Sequence, residues 1–299
     1  MMRLTRAGFS SVQDLGRAAP GASGVPRGGA FDEWALRRGN RLCGNEPDAA
    51  GIEFVLAGPE VVFEKAALVA ITGAPFAATL DGAAVEGEIA VPVAAGATLS
   101  IGKAARGARG YLCVAGGIAT EPVLASRSAS PRAGIGLMLA GGDRLPAGTA
   151  SRGGPERPRP NRPETPDATP DAIRVVAGPS DLAEDSLERL IEEEWTVTPD
   201  ADRVGVRLDG PALAHGPGGP EIDPEPAMPG VIQVPGDGRP IVLGPDGPAT
   251  GGYPKIATVI RADLWVLAQA RPGDRLRFRL CDPAAARAAL AEQAGRTDA

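Results

Sequence analysis

Six candidate functional side chains lie in the loops and short strands of residues 230–263, a stretch that glycine and proline shape. Between its loops the stretch holds short apolar runs such as Ile241–Leu243, which a flexible linker would lack. We therefore predict short strands joined by shaped loops. Carboxylates can act as acids or bases, and amide, hydroxyl and ammonium groups can hold a carbonyl or carboxylate. The six candidates are Gln233, Asp237, Asp246, Thr250, Tyr253 and Lys255.

The run from Thr250 to Lys255, TGGYPK, has the most specific pattern within this stretch. Consecutive glycines at Gly251 and Gly252 let backbone N–H groups approach a ligand oxygen closely, and Tyr253 and Lys255 add donors. A tight turn would also require the glycines, but it would not explain the neighbouring polar side chains. We take this run as a candidate site for a small amide or carboxylate.

Two further groups of residues are candidates for binding an anion. Arg203 and Arg207 would lie on one face of a strand and suit a carboxylate or phosphate, although surface ion pairs with Asp202 and Asp209 explain them equally well. Ser126-Arg127-Ser128 offers hydroxyls and a cation, and a solvated turn is the alternative. Near the N-terminus, polar residues are spaced closely around glycine turns, and helix capping also explains Asp32 without a function. These residues are Asp14, Arg17, Asp32, Asn40 and Glu53.

Composition argues against nucleic-acid-binding, membrane-spanning and metal-binding proteins. The chain has 299 residues, which favours two domains, and its formal net charge of −6 gives no reason to expect nucleic acid or an anionic membrane as partner. A single histidine and three cysteines without paired spacing argue against a metal site and for reduced, buried thiols. The sequence has neither a secretory signal nor an apolar run of about 18 residues. We expect a cytoplasmic protein that binds no metal itself.

The pattern of apolar residues predicts a mainly β chain with few helices. Asp32 is the predicted cap of a helix over Glu33–Leu42, and Ser180 or Asp181 the cap of a second helix that extends to Trp195. Strict alternation predicts one strand over 275–280, and a last helix starts at Asp282-Pro283. Short strands separated by turns are predicted at 52–56, 60–64, 68–72, 77–80, 98–101 and 110–114.

A segment rich in proline and charge divides the chain. Residues 151–171, SRGGPERPRPNRPETPDATPD, contain no large apolar side chain and cannot build a core. We predict one domain over 1–150, a linker or exposed loop over 151–171 and a second domain over 172–299.

An ordered series of motifs resembles one family along almost the whole chain. The motifs are SVQDLGR (11–17), GVPRGGAFD (24–32), ITGA (71–74), YLCVAGGI (111–118), SRS (126–128), DRVGVRL (202–208), GVIQVP (230–235), DGRPIVL (237–243) and TGGYPKIA (250–257). Together they resemble the second subunit of the allophanate hydrolase-like, or biotin-dependent carboxyltransferase, family, which includes the C-subunit of 5-oxoprolinase and the KipA proteins.

The resemblance implies a fold, partners and a reaction. It implies two cyclophilin-like β-barrel domains, a KipI-like first subunit as partner and, in the oxoprolinase system, a LamB/YcsF-like subunit. It further implies ATP-dependent hydrolysis of 5-oxoproline to glutamate, with ATP used through the complex. In that function Asp237 and Asp246 would be acid/base or orienting groups, with Tyr253 and Lys255 as further catalytic donors. Gln233 and the amides of Gly251 and Gly252 would hold the carbonyl, and Arg203 and Arg207 would bind anionic groups.

Two other functions remain open. The first is carboxyl transfer to urea or another amide, with biotin on a separate carrier chain. The second is a non-catalytic subunit that regulates a KipI-like protein. Pro248 and Gly28 favour this last hypothesis, because relatives of this kind usually carry Gln and Ser at these positions and Pro248 removes a donor and an acceptor beside the predicted site. Arg239 also stands where these relatives usually have Gln.

Overall fold

The computed structural model describes residues 1–18, 24–136, 138–148, 171–180, 182–183 and 185–298. The chain divides into two compact units. Among the described residues, the first unit comprises 1–18 and 28–148, and the second comprises 24–27 and 171–298. Except for residue 171, the predicted linker at 151–171 lies outside the described residues, and its role stays a prediction.

The described residues of the first unit form strands β1 to β11, one α-helix, α1, which spans Glu33–Leu42, and a 3-10 helix at Pro131–Ala133. One sheet has the order β11-β1-β4-β9-β6-β7, and the other has the order β2-β3-β10-β5-β8. The strands in chain order are Met2–Arg6, Phe9–Gln13, Gly51–Val55, Glu60–Phe63, Ala67–Gly73, Phe76–Leu80, Ala83–Val85, Ala90–Val93, Thr98–Ala104, Arg109–Val114 and Arg144–Leu145.

Both sheets of the first unit contribute to one apolar core. Leu4 and Leu99 come from the first sheet, and Ile52 and Leu112 from the second, and all four are almost completely buried. Buried and less buried positions alternate along β4 and β9, whereas β10 is buried at every position because α1 packs on its other face. All six strands predicted for this half are confirmed, with ends that differ by at most three residues.

Helix α1 begins where its sequence predicts. The Asp32 carboxylate accepts a hydrogen bond from Ala35 N at 3.0 Å, so Asp32 is the N-cap. The helix packs against β5 and β10, and a Cβ at Gly39 would come within 2.6 Å of Cys113 Sγ. Glycine at that position therefore permits the close approach of helix and sheet.

The second unit is built on a single sheet of eight strands in the order β20-β13-β14-β17-β16-β19-β12-β21. The two end strands, Arg275–Leu276 and Phe278–Leu280, are separated in the chain only by Arg277, so the sheet curls into a nearly closed barrel. Strands β12 to β21 are Ile173–Ala177, Trp195–Val197, Gly205–Asp209, Glu225–Pro226, Val231–Gln233, Ile241–Leu243, Thr250–Gly251, Lys255–Val259, Arg275–Leu276 and Phe278–Leu280, and helices α2 to α4 are Ser186–Glu192, Leu264–Gln269 and Pro283–Asp298.

Three predicted elements of the second half can be compared with the structure. The last helix is confirmed, but the helix predicted from Ser180 or Asp181 begins only at Ser186 and ends before Trp195, which is buried in β13. The predicted strand over 275–280 is wrong as a single strand. Leu276 pairs with Trp195 at one end of the strand order, whereas Phe278 pairs with Ile173 at the other end.

The mainly β prediction is confirmed. No helix among the described residues is long and apolar enough to cross a bilayer. In the described part of the chain, no three His, Cys, Asp or Glu side chains gather where they could hold a metal ion.

The three cysteines are free thiols. Cys43 and Cys113 are buried as predicted, and burial raises the pKa of Cys43 to about 12. Cys281 is only partly buried, so the prediction of full burial is wrong there.

Candidate functional site

A β-bulge sets the geometry of the polar residues in the second unit. Ile232 pairs with Ala257, but the next residue of β16, Gln233, pairs with Lys255, so Ile256 is an extra residue in β19. Register partners in an antiparallel pair project from the same face of the sheet. The bulge therefore places the Gln233 and Lys255 side chains on the same face of the sheet, at paired positions.

A two-stranded ribbon formed by β15 and β18 covers these two side chains. Within the ribbon Glu225 pairs with Gly251, and Pro226 with Thr250. A Cβ at Gly251 would lie 2.3 Å from Gln233 Nε2, so any other residue there would have to displace the Gln233 amide. The ribbon thus presents Gly251 to Gln233 and Glu225 to Lys255.

The charges in this cluster are unequally exposed. Lys255 Nζ donates to Glu225 Oε2 at 2.7 Å, and the Lys255 side chain is 7% exposed whereas that of Glu225 is 53% exposed. Gln233 Nε2 is buried and has no hydrogen-bond partner among the described residues. A buried donor without an acceptor is costly, so the amide is a candidate to bind a ligand oxygen. We call Gln233, Lys255, Glu225 and Gly251 the Gln233–Lys255 site.

This site combines a cation with a neutral donor on one face of the sheet. An ammonium binds a carboxylate through a charge-assisted hydrogen bond, and an amide N–H binds a carbonyl oxygen. The backbone around Lys255 is fixed, because Lys255 N donates to Ser180 Oγ at 2.8 Å and a Cβ at Gly178 would meet Lys255 O at 2.0 Å. The arrangement suits a small molecule that carries both a carboxylate and an amide.

Other predicted residues of this stretch are exposed and follow β16 or precede β19 in the chain. Asp237 is exposed, and its carboxylate accepts a hydrogen bond from Arg239 N at 3.1 Å, which shapes the turn after Gln233. Tyr253 is 41% exposed and Thr250 is also exposed. The carbonyl of Gly252 accepts a hydrogen bond from Ile222 N at 2.9 Å. The predicted catalytic roles of Asp237 and Tyr253 stay predictions.

Asp246 lies apart from Gln233. Gln233 is opposite Ile241 at one end of β17, whereas Asp246 follows Leu243 at the other end. There its carboxylate forms a two-point ion pair with Arg203, at 2.8 Å to Nε and 3.0 Å to Nη2.

The structure separates the two arginines that the sequence predicts on one face. Arg203 precedes β14 and pairs with Asp246, whereas Arg207 lies within β14 and is exposed. Asp209, the expected partner of Arg207, forms its ion pair with Arg239 instead. Whether either arginine binds a substrate anion stays a prediction.

In the first unit, Ser126 and Arg127 surround a carboxylate. Asp14 accepts hydrogen bonds from Ser126 Oγ at 2.7 Å, Ser128 Oγ at 2.5 Å and Arg127 N at 2.6 Å. Arg127 contributes its backbone, and its side chain is exposed. This cluster fixes the SRS loop against the end of β2, where Gln13 also donates to Ala129 O at 3.0 Å.

Asp32 and Glu53 belong to a buried network around Tyr111. The Tyr111 hydroxyl donates to Glu53 Oε2 at 2.7 Å and accepts from Asp32 N at 2.8 Å. Arg109 Nε lies 3.6 Å from Glu53 Oε1. The Tyr111 hydroxyl, between the Asp32 backbone N–H and the Glu53 carboxylate, thus joins the start of α1 to strands β3 and β10. Burial first, and then the charges of Glu53 and Asp32, raise the pKa of the Tyr111 phenol well above its usual value.

Asn40 joins helix α1 to the loop that follows it. Its amide donates to Ala49 O at 2.7 Å and accepts from Asn45 Nδ2 at 3.1 Å. Asn45 also donates to Val114 O at 2.8 Å. These bonds hold the loop against β10, and a role of Asn40 in substrate binding stays a prediction.

We expect the buried Tyr111 to make the protein sensitive to alkali. Below the ordinary tyrosine pKa of about 10, the folded and the unfolded protein both keep the Tyr111 proton, so the free energy of unfolding does not depend on pH through this group. Above that pKa the unfolded protein releases the proton first, which favours unfolding. The free energy of unfolding should therefore fall with a limiting slope of about 1.4 kcal/mol per pH unit from this group. Urea denaturation of wild type and Tyr111→Phe at pH 9 to 11 measures it. Equal slopes in the two proteins would contradict the assignment.

Sequence reasoning missed Glu225, and it noted Asp14 without its contacts to the Ser126–Ser128 loop. Glu225 lies between two prolines in EIDPEPAMPG, a segment whose composition predicts only a loop. Its pairing with Gly251 joins positions 26 residues apart, 251 − 225 = 26, and no local pattern signals that contact. Asp14 stands out in the sequence only as one of several polar residues near glycine turns.

Comparison with known proteins identifies the family. The family model described as carboxyltransferase domain, subdomain A and B, matches residues 23–280. The chain is 37% identical over 288 residues to the 5-oxoprolinase C-subunit of Escherichia coli, covering 94% of this chain and 91% of that protein. It is 34% identical over 293 residues to the urea amidolyase of Saccharomyces cerevisiae, covering 90% of this chain and 16% of that protein.

A solved structure agrees with these matches. The crystal structure of the K. lactis urea amidolyase superposes with a TM-score of 0.90 at 29% identity, and the match covers 99% of this chain and 20% of that one. The resemblance inferred from the sequence motifs is confirmed. The chain belongs to the family of carboxyltransferase domains with subdomains A and B.

Proposed function

We propose that this chain is a subunit of a 5-oxoprolinase-type complex that hydrolyses 5-oxoproline to glutamate. The similarity to the 5-oxoprolinase C-subunit of Escherichia coli supports the proposal at the level of the whole chain. In this proposal the partners are a KipI-like subunit and a LamB/YcsF-like subunit. ATP is used through the complex, and we assign no residue of this chain to ATP.

The observation that carries the proposal is the pairing of Gln233 with Lys255 across the bulge. 5-Oxoproline has a carboxylate and a lactam carbonyl on one small ring. Its carboxylate would pair with the Lys255 ammonium, and its carbonyl oxygen would accept a hydrogen bond from Gln233 Nε2. That hydrogen bond strengthens as the carbonyl oxygen gains negative charge during attack by water.

The remaining residues of the stretch would serve the proton transfers of lactam opening. Hydrolysis adds water across the C–N bond of the lactam, so a base must take a proton from water and an acid must give one to the departing nitrogen. Asp237 and Tyr253 are exposed near the Gln233 end of the sheet, and we propose them for these steps. Asp246 accepts a hydrogen bond from Arg203, and this ion pair favours a role in orienting groups over a role in proton transfer.

A second candidate function is carboxyl transfer to an amide nitrogen. The similarity to two urea amidolyases favours it, because the match covers 90% and 99% of this chain. Carboxybiotin would then be delivered by a separate carrier, and the Gln233–Lys255 site would hold the acceptor amide. The same donors serve either function, so the choice depends on the reaction that is measured.

Reconstitution of the complex tests the proposal. The chain is mixed with a KipI-like and a LamB/YcsF-like subunit, ATP and 5-oxoproline, and glutamate is measured. Formation of glutamate that depends on this chain supports the proposal. An assembled complex without turnover contradicts it. Faster decay of carboxybiotin in the presence of the chain then favours carboxyl transfer, and partner binding without either reaction favours a regulatory subunit.

A further inference from the structure

Two register pairs face each other at the Gln233–Lys255 site. One pair, Gln233 and Lys255, belongs to the barrel sheet, and the other, Gly251 and Glu225, belongs to the ribbon. Residues that are opposite in an antiparallel pair share a face, so the side of the ribbon that carries Gly251 also carries Glu225. Both measured contacts agree with this stacking, 2.7 Å from Lys255 Nζ to Glu225 Oε2 and the close approach of Gly251 to Gln233 Nε2.

The ribbon itself has little internal support. Each of its strands has two residues, Glu225–Pro226 and Thr250–Gly251. Backbone hydrogen bonds from Ala227 N to Ala249 O and from Ile222 N to Gly252 O, each 2.9 Å, flank the paired residues. A two-stranded ribbon is marginally stable on its own in water, so its position depends on the contacts below it. The Lys255–Glu225 ion pair is the charged contact among them.

The ion pair is asymmetric in a way that favours exchange of the anion. The Lys255 ammonium is buried and needs an anion, because an unpaired buried charge is costly. The Glu225 carboxylate is about half exposed, so water can solvate it when the pair breaks. Another carboxylate can therefore replace Glu225 at Lys255, and the displaced Glu225 carboxylate loses little free energy because water solvates it. The Glu225 carboxylate does nothing for Gln233 Nε2, which stays without an acceptor among the described residues.

We propose that Glu225 is an internal competitor that occupies the carboxylate position of the ligand, and that the β15–β18 ribbon is a cover which opens when a small carboxylate with an amide carbonyl takes that position. The inference deepens the proposed function and rests on it for the identity of the ligand. A ligand with both groups would satisfy Lys255 and Gln233 together, whereas Glu225 satisfies only Lys255. The closed cover thus lowers the affinity of the site until a ligand with both groups is present.

Binding measurements with three variants test the competition. Titration calorimetry uses 5-oxoproline as the probe, and its uncharged analogue 5-oxoprolinamide as the comparison. We expect Glu225→Gln to bind 5-oxoproline at least about tenfold more tightly than wild type, since the competitor is weakened. Glu225→Gln combined with Lys255→Met should lose this gain. Glu221→Gln, an exposed glutamate in the same segment, is the matched control and should bind as wild type does.

Amide hydrogen exchange measures the cover directly. Glu225→Gln should speed the exchange of the Ala227 and Ile222 amides in the free protein, and 5-oxoproline should speed it in wild type. The inference is overturned if Glu225→Gln binds 5-oxoproline no more tightly than wild type, including the case that neither binds, or if exchange at the ribbon is unchanged. If the complex makes glutamate and Glu225→Gln changes neither binding nor exchange, the cover is contradicted and the proposed function stands. If the complex shows no turnover but Glu225→Gln still binds 5-oxoproline more tightly, the proposed function is contradicted and the competition by Glu225 stands.

Discussion

Replacing Lys255 with methionine is expected to lower kcat/KM of the reconstituted complex for 5-oxoproline by roughly 30- to several thousand-fold. The factor corresponds to about 2–5 kcal/mol, the usual loss when one partner of a desolvated charge pair is removed. Methionine has a similar length and keeps the apolar stem, so the fold should remain. The exposed Glu225 carboxylate can be solvated when its partner is lost.

The control and the form of the loss make this prediction specific. Lys103 is exposed on β9, and Lys103→Met should retain the wild-type kcat/KM. Because Lys255 is assigned to the carboxylate and not to the reacting bond, most of the loss should appear in KM. Activity of Lys255→Met within about threefold of wild type would show that Lys255 does not bind the substrate carboxylate.

Replacing Arg203 with methionine is expected to lower the free energy of unfolding by about 3–5 kcal/mol, because it leaves the buried Asp246 carboxylate without its cation. The two side chains are 13% and 8% exposed, so water screens the pair weakly. Urea denaturation followed by circular dichroism measures the change. A double variant, Arg203→Met with Asp246→Leu, should recover part of the loss, since no charge then remains buried.

A second ion pair of the same unit serves as the matched control. Arg239 and Asp209 are 3.1 Å apart but 56% and 54% exposed, so Arg239→Met should cost less than about 1 kcal/mol. An equal loss in the two variants would contradict the assignment of Arg203 to a buried pair. If Arg203 instead binds a substrate anion, the variant would lose affinity while its free energy of unfolding stays near that of wild type.

Local patterns in the sequence predict much of the fold. Asp32 followed by an amphipathic run is enough to place helix α1, since capping and periodicity act within a few residues. The alternation over 275–280 is equally regular, yet the chain leaves one neighbour and joins another around Arg277. Alternation specifies which face is buried and not which strand lies beside it, so pairing had to come from the structure.

The candidate site is predictable in its residue types and only partly in its geometry. The sequence points to both Gln233 and Lys255, but the extra residue Ile256 that brings them to one face has no sequence signal. Asp246 is close to Gln233 in the chain, and β17 carries it to the other end of the strand. Proximity in sequence is a weak guide in a chain of short strands, because three residues of strand span about 10 Å.

The single residue between the two end strands of the second unit has a consequence for assembly. An uncovered edge strand can pair with a strand of another molecule, and proteins commonly prevent this with charged residues or with short edge strands. Here the terminal strands have two and three residues and include Arg275 and Arg279. Partner subunits should therefore recognise loops or faces of this barrel and not extend its ladder, which also disfavours fibrous self-association through these strands.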